Sequence, residues 1–170
     1  MLRRLLLVVL YTLVILINSY EAYGGDDDMQ ITSPSFNHNE MIPAKFTCIG
    51  ENVSPALILK NIPSAAESLV LIMDDPDAPV GTWVHWVVYD ILPLEKIEEG
   101  GVVGVEGITS FRKRGYGGPC PPSGTHRYFF KVYALDKLLG FEEGKTKVQI
   151  EEAMDGHVLS YCELIGLFAQ

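Results

Sequence analysis

Residues 68–91 read SLVLIMDDPDAPVGTWVHWVVYDI, and this stretch decides the fold. Ser68–Met73 and Trp83–Ile91 are apolar runs rich in β-branched and aromatic residues, and turn-forming residues flank them. Runs of this length and composition predict strands, the first of them apolar enough to lie inside a sandwich. Pro76 and Pro79 fix the backbone of the segment that joins the runs. The stretch therefore predicts two core strands connected by a rigid acidic turn.

Similar runs occur elsewhere in the chain. Ala56–Leu59, Arg127–Leu135 and Val158–Phe168 are further predicted strands, separated by segments rich in Gly and Pro. Two short helices are predicted, about one turn over Asp136–Leu139 and an amphipathic helix over Val148–Met154. The strands outnumber the helices and do not alternate with them. This pattern favours a mainly β protein, a β-sandwich with a few short peripheral helices.

Composition limits the class of protein. The chain has 170 residues, of which 48% are hydrophobic and 10% aromatic, which suits one globular domain with a real core. It carries 22 acidic and 13 basic residues, for a formal net charge of -9. A nucleic-acid-binding protein needs a basic face to neutralise phosphates. We therefore expect no nucleic acid among the partners of this protein.

Residues 1–24 have the features of an export signal. Two arginines precede an apolar run over Leu5–Ile17, which is short for ~30 Å of hydrocarbon but suits the core of a signal peptide. A small-x-small pattern ends at Gly24, where we expect cleavage. The prediction is an exported protein, periplasmic or secreted, with residues 25–170 as its domain. An uncleaved leader that tethers the domain to a membrane is the alternative.

The chain has three cysteines, so one pair can close in an oxidising compartment and one thiol is left over. Cys48 and Cys120 lie in loops rich in Gly and Pro and are the candidate disulfide. Cys162 lies in an apolar stretch and is predicted to be a buried thiol. The sequence leaves the pairing open.

A histidine opens the strand that follows the acidic turn. A two-residue period places Trp83, His85 and Val87 on one face of that strand. A histidine between two tryptophans is ordinarily a core residue that bonds to a backbone carbonyl, and the acids of the turn are ordinarily solvated. On this strand alone, the structural interpretation is favoured.

A second histidine occupies a similar position. Residues 117–125 read GGPCPPSGT and lead directly into His126, Arg127 and Tyr128, so an imidazole and a phenol share one face at a strand end. Rigid loops beside two histidine-bearing strand ends are what a small polar pocket requires, because such loops do not collapse. The two strand ends together predict a pocket.

The motifs Asp-Pro-Asp-Ala-Pro, Trp-Val-His-Trp and Gly-Pro-Cys-Pro-Pro-Ser-Gly-Thr-His-Arg-Tyr occur in an order that resembles the phosphatidylethanolamine-binding protein family. The sequence is most similar to its bacterial and archaeal branch of Raf-kinase-inhibitor-like proteins, over roughly residues 29–170. The resemblance implies an antiparallel β-sandwich with a pocket for small oxyanions such as phosphate or phosphoryl head groups. It also implies a non-catalytic binding protein that modulates kinases or proteases, and a homodimer.

Residue by residue, the resemblance assigns one set of side chains to the ligand pocket. These are Asp75, Asp77, Pro79, Trp83, His85, Gly118, Pro121, Pro122, His126 and Tyr128. Eukaryotic members of the family continue into a helix beside the pocket, whereas this sequence ends at Gln170. We therefore expect a more open pocket mouth.

The chemistry of the assigned residues suits an anion. A carboxylate such as Asp75 that accepts from one imidazole nitrogen favours the charged ring, whose other N–H then faces the ligand. We expect binding to weaken above about pH 7, since histidine has a reference pKa of ~6.5. No cofactor is expected.

Two enzymatic alternatives stay open. Asp75, His85 and His126 could form a metal site of two histidines and one carboxylate. Ser123 or Cys120 could instead act as a hydrolytic nucleophile with His126 as base, although neither has a recognised nucleophile motif around it. Separately, the basic run at residues 112–114 is either a solvated face or a recruiter of an anionic ligand or partner.

Overall fold

A computed structural model describes residues 28–170, so the leader predicted over residues 1–24 lies outside the described residues. Within the described part the elements follow one another as β1 (Gln30–Thr32), β2 (Glu40–Met41), a 3-10 helix (Ala44–Phe46), β3 (Leu57–Lys60), β4 (Ser68–Asp75), β5 (Trp83–Ile91), β6 (Lys96–Ile97), β7 (Val105–Glu106), β8 (Thr125–Leu135), α1 (Lys147–Met154) and β9 (Val158–Ala169). None of the helices among residues 28–170 is long and apolar enough to cross a membrane.

The strands form two sheets. A six-stranded sheet has the order β2-β9-β8-β4-β5-β7, and a three-stranded sheet has the order β1-β3-β6. Every pairing is antiparallel except that of β2 with β9, which is parallel. The predicted mainly β fold is confirmed, with this one parallel pair as a local exception.

Strand β4 lies at the centre of the large sheet, and all of its residues are buried. Leu69, Leu71 and Met73 belong to the core between the two sheets. Val70 and Ile72 belong to a second cluster on the other face, beneath α1. Both faces of β4 are therefore covered by apolar side chains, which explains why its sequence shows no polar alternation.

The five predicted strands are present with ends shifted by two residues at most, and α1 begins one residue earlier than predicted. The helical turn predicted over Asp136–Leu139 is wrong. The backbone there makes contacts that a helix would not allow. The Asp90 carboxylate accepts from the N–H groups of Leu139 and Gly140, and the Ser68 hydroxyl donates to the Lys137 carbonyl.

Strand β4 continues through Asp74 and Asp75, which the sequence assigned to the turn that follows it. Successive residues of a strand point to opposite faces. Asp74 is fully buried on the α1 side, where it accepts from Lys131 at 2.9 Å and from Lys147 at 2.5 Å. Lys147 belongs to α1, so this ion cluster attaches the helix to the sheet.

Replacing Asp74 tests this ion cluster. In Asp74→Asn two partly buried ammonium groups lose their counter-charge, and removing one partner of a buried ion pair costs about 3 kcal/mol. We expect a loss of that size in the free energy of unfolding, measured by urea denaturation. Asp155→Asn makes the same chemical change at an exposed position and should have little effect. Equal effects in the two variants would contradict the stabilising role of Asp74.

Candidate functional site

A β-bulge shapes the pocket end of β5. Trp86 pairs with Met73 and Val84 pairs with Asp74, so His85 is an extra residue between them. A bulge lets two consecutive side chains face the same side of the sheet. His85 and Trp86 both lie on the inter-sheet side as a result.

The bulge also corrects one prediction. Trp83 and His85 share a face, as the two-residue period predicted, and both line one cavity. Val87 belongs instead to the apolar cluster beneath α1 on the opposite face. The period assumed regular pairing, and the extra residue at position 85 inverts the alternation from there on.

The site is a cavity of about 270 Å³ at the ends of β4, β5 and β8. Its lining residues are Asp75, Ala78, Pro79, Val80, Trp83, His85, Phe111, Cys120, Pro121, Pro122 and His126. Most residues of the sequence-predicted set are therefore brought together here. Asp77, Gly118 and Tyr128 are the members of that set that do not line the cavity.

Asp75 and His126 form a buried hydrogen-bonded pair. His126 Nδ1 lies 2.7 Å from Asp75 Oδ2, and the two residues are 7% and 3% exposed. The other carboxylate oxygen, Oδ1, accepts from the Asp77 backbone N–H at 2.8 Å. Both oxygens of Asp75 are thus engaged. Since an ionised carboxylate can only accept, His126 carries its proton on Nδ1 and keeps Nε2 for a guest.

His85 has a different partner. Its Nδ1 lies 2.6 Å from the Gly117 carbonyl oxygen, and the Gly117 N–H donates back to the His85 carbonyl at 3.0 Å. A carbonyl accepts, so Nδ1 of His85 also carries a proton. Burial lowers the pKa of His85, against the opposing effects of the Gly117 bond and the Asp75 charge. The neutral ring then presents Nε2 as an acceptor, whereas the sequence analysis expected a donor.

Tyr128 lies behind the cavity wall. Its ring packs edge-on against His85, with centroids 5.2 Å apart. Its hydroxyl is buried and has no hydrogen-bond partner within residues 28–170. Burial, together with the negative charge of Asp75, raises the pKa of the phenol. Tyr128 therefore stays protonated and packs against His85.

Asp77 supports the site from outside the cavity. Its carboxylate accepts from Arg127 through Nε at 2.9 Å and through the second guanidinium nitrogen at 2.7 Å. These hydrogen bonds lower the pKa of Asp77 to about 2. Asp77 does not line the cavity, and its carboxylate joins β8 to the acidic turn.

Gly118 also lies outside the lining of the cavity. Its N–H donates to Asn52 Oδ1 at 2.8 Å. A Cβ at this position would lie 2.5 Å from both that oxygen and the Phe46 carbonyl. Only glycine permits this close approach, which fixes the loop that carries Pro121 and Pro122.

A disulfide holds the same loop. Cys48 and Cys120 are joined, and Cys120 lines the cavity. Cys162 is free and buried, and burial raises the pKa of its thiol to about 12. The disulfide joins the two cysteines that the sequence analysis gave as the candidate pair, so neither of them is a free thiol.

Phe111 is a lining residue that the sequence analysis missed, as it also missed Ala78 and Val80. Its ring packs edge-on against Trp83 at 5.5 Å and against His85 at 5.3 Å. Phe111 lies in the polar segment Ser110–Arg114, where one aromatic residue gives no periodic signal. The structure supplies the signal that the sequence lacks, because this large apolar ring is 39% exposed in an otherwise charged loop.

The sequence profile of the phosphatidylethanolamine-binding protein family matches residues 32–169. The chain belongs to this family. Membership supports a binding protein of the family type, and it confirms the resemblance inferred from the motifs.

Relatives and solved structures agree with the assignment. The chain is 46% identical over 148 residues to a UPF0098 protein of Methanothermobacter thermautotrophicus, covering 82% of this chain and 98% of that protein. It is 45% identical over 156 residues to a UPF0098 protein of Pyrococcus abyssi, covering 85% of this chain and 88% of that protein. A solved family homologue from Chlamydia trachomatis superposes with a TM-score of 0.83 at 43% identity, over 85% of this chain and 99% of that one. E. coli YbcL, described as a new member of the mammalian family, superposes with a TM-score of 0.78 at 25% identity. The match covers 84% of this chain and 99% of YbcL.

The lowered pKa of His85 predicts an acid-sensitive contribution to stability. The unfolded chain binds this proton at the ordinary histidine pKa of 6.5, whereas the folded chain binds it only at lower pH. The contribution of His85 is therefore complete above pH 6.5 and is lost as the pH falls through the folded pKa. We expect urea denaturation to show a larger loss of stability between pH 7.5 and pH 5 in the wild type than in His85→Gln. His38→Gln, on the surface, should behave as the wild type does.

Proposed function

We propose that this cavity binds a small oxyanion or phosphoryl group without catalysis. The observation that carries the proposal is the buried pair of His126 with Asp75, set across one cavity from His85. Both rings have their Nδ1 atoms engaged, so each can offer Nε2 to the same guest. Charge-assisted hydrogen bonds to phosphate are roughly twice as strong as neutral ones.

The two imidazoles have different tasks. The Nδ1 atom of His126 is bonded to the Asp75 carboxylate, and in this proposal the Nε2–H of His126 donates to the anion. His85 is a buried neutral acceptor in the free protein, so it either receives the P–O–H proton of a phosphate or takes up a proton as the anion binds. An anion that has no proton of its own therefore binds with proton uptake at His85.

The rim of the cavity strengthens these contacts. Pro79, Val80, Trp83, Phe111 and Pro122 surround the imidazoles with apolar surface. Excluding water raises the strength of hydrogen bonds to a charged guest. The net charge of -9 gives no long-range attraction for anions, so the affinity comes from these local contacts.

Several observations favour binding over the enzymatic alternatives. Cys120 is held in a disulfide, so it has no thiolate to act as a nucleophile. Ser123 is exposed and does not line the cavity with His126. Within residues 28–170 there is no group of three or more His, Cys, Asp and Glu residues suited to a metal ion. The binding function is therefore the better supported one.

The cellular context belongs to the same proposal. A disulfide between Cys48 and Cys120 is what an oxidising compartment allows, and it supports export to the periplasm or beyond. A kinase or protease partner and a homodimer are proposed from the family alone. Size-exclusion chromatography with light scattering tests the dimer, and a monomeric mass would contradict it.

Titration by calorimetry tests the anion site. Inorganic phosphate should bind more tightly at pH 6 than at pH 8.5, because an imidazole that donates through Nε2 while Nδ1 is also protonated must be charged, and the reference pKa of histidine is ~6.5. Sulfate has no proton to give to His85 at either pH, so its affinity should fall more steeply than that of phosphate. Equal or tighter phosphate binding at pH 8.5 would contradict the mechanism. Vesicles with and without phosphatidylethanolamine show whether a lipid head group can replace the free anion.

Two neighbouring aspartates provide a matched pair of variants. Asp75→Asn removes the negative charge behind His126 while keeping an acceptor oxygen, and we expect the phosphate Kd to rise at least about tenfold. Asp74→Asn makes the same change one residue away, on the opposite face of the sheet, and should leave the Kd unchanged despite its lower stability. If the two variants bind phosphate equally well, the cavity is not the anion site.

A further inference from the structure

A second cavity of about 220 Å³ adjoins the anion site. The two cavities share Phe111 and Cys120 as common wall residues. The second cavity is lined on its other sides by Lys113, Arg114 and Gly115, among others. The basic run that the sequence analysis left without a role is therefore next to the proposed ligand.

The charges of the second cavity are not fully compensated. Arg114 pairs with Glu143, and Glu106 lies beside Gly115, so Arg114 is partly neutralised. Lys113 is exposed and has no salt-bridge partner within residues 28–170. One positive charge is thus available in this cavity on a protein whose net charge is -9.

The position of Lys113 is fixed by its backbone. The Lys113 carbonyl accepts from both the N–H and the hydroxyl of Thr109, each at 2.9 Å. The neighbouring Ser110 bonds in both directions to Val84 on β5. The cationic loop is therefore attached to the strand that carries His85.

The first cavity, unlike the second, is lined by no lysine or arginine of residues 28–170. Its positive charge depends on histidine protonation. A guest with a second anionic group finds no fixed cation there. Lys113 and Arg114 line the adjoining cavity, which shares Phe111 and Cys120 with the first one.

We propose that the ligand carries two anionic groups, with one oxyanion between His85 and His126 and a second anion, a carboxylate or phosphate, against Lys113 and Arg114. The segment that joins the groups crosses the apolar wall of Phe111 and Cys120. This inference rests on the proposed anion site and specifies the class of ligand that it takes.

Calorimetry with a series of ω-phosphonocarboxylates, each compared with the alkyl phosphonate of equal length, tests the inference. At one or more chain lengths the two-anion compound should bind roughly two- to fivefold more tightly, because one added ion pair contributes up to about 1 kcal/mol. The advantage should decline as salt is added, since the second group is partly exposed. It should disappear in Lys113→Gln and persist in Lys60→Gln, which removes an exposed charge on β3.

The outcomes separate this inference from the function on which it rests. If inorganic phosphate fails to bind the wild type, the anion site itself is wrong. If phosphate binds but no two-anion compound gains affinity, or if Lys113→Gln keeps the full gain, only the second subsite is wrong. Vesicles that contain phosphatidylserine, compared with free O-phosphoserine, distinguish a lipid head group from a soluble ligand of the same chemistry.

Discussion

The hydrogen bond between His126 Nδ1 and Asp75 Oδ2 joins two neighbouring strands of the large sheet at their pocket ends. It forms because β4 continues through Asp75 and because β8 begins before His126. A carboxylate that is 3% exposed needs hydrogen-bond donors, and the imidazole and the Asp77 N–H supply them. The electrostatics of the cavity follow from this pair, since it fixes the proton on one nitrogen and leaves the other for a guest.

The surrounding loops hold the second imidazole opposite the first. Gly117 bonds to His85 in both directions, and the disulfide and the Asn52 contact hold the loop in place. The two histidines thus meet the same cavity with unequal partners, one carboxylate and one carbonyl. That inequality places a carboxylate behind His126, whereas burial lowers the pKa of His85 and favours its neutral ring.

Two consecutive aspartates, Asp74 and Asp75, lie in different environments. Asp74 is enclosed by two lysines beneath α1, whereas Asp75 faces the cavity on the opposite side of the same strand. A strand makes this division possible because adjacent side chains point in opposite directions. An ion cluster and the cavity therefore lie on opposite faces of the same strand, one residue apart.

The sequence predicted the long strands well, because runs such as Trp83–Ile91 are too apolar to lie outside a core. The two- and three-residue strands β1, β2, β6 and β7 could not be predicted, since their pairing is decided by neighbours distant in the chain. Most lining residues followed from motif order. Three features of the site could not be predicted, because they depend on three-dimensional detail. They are the bulge at His85, the pairing of Asp77 with Arg127, and the approach of Phe111 from a polar loop.

The convergence of the two imidazoles on one guest is tested most directly by a crystal structure of the protein soaked with phosphate. The account predicts one phosphate in the cavity, with oxygens at about 2.7–3.2 Å from Nε2 of both His85 and His126. Phosphate ordered only elsewhere on the protein, or bound to one ring while the other is directed away, would contradict it.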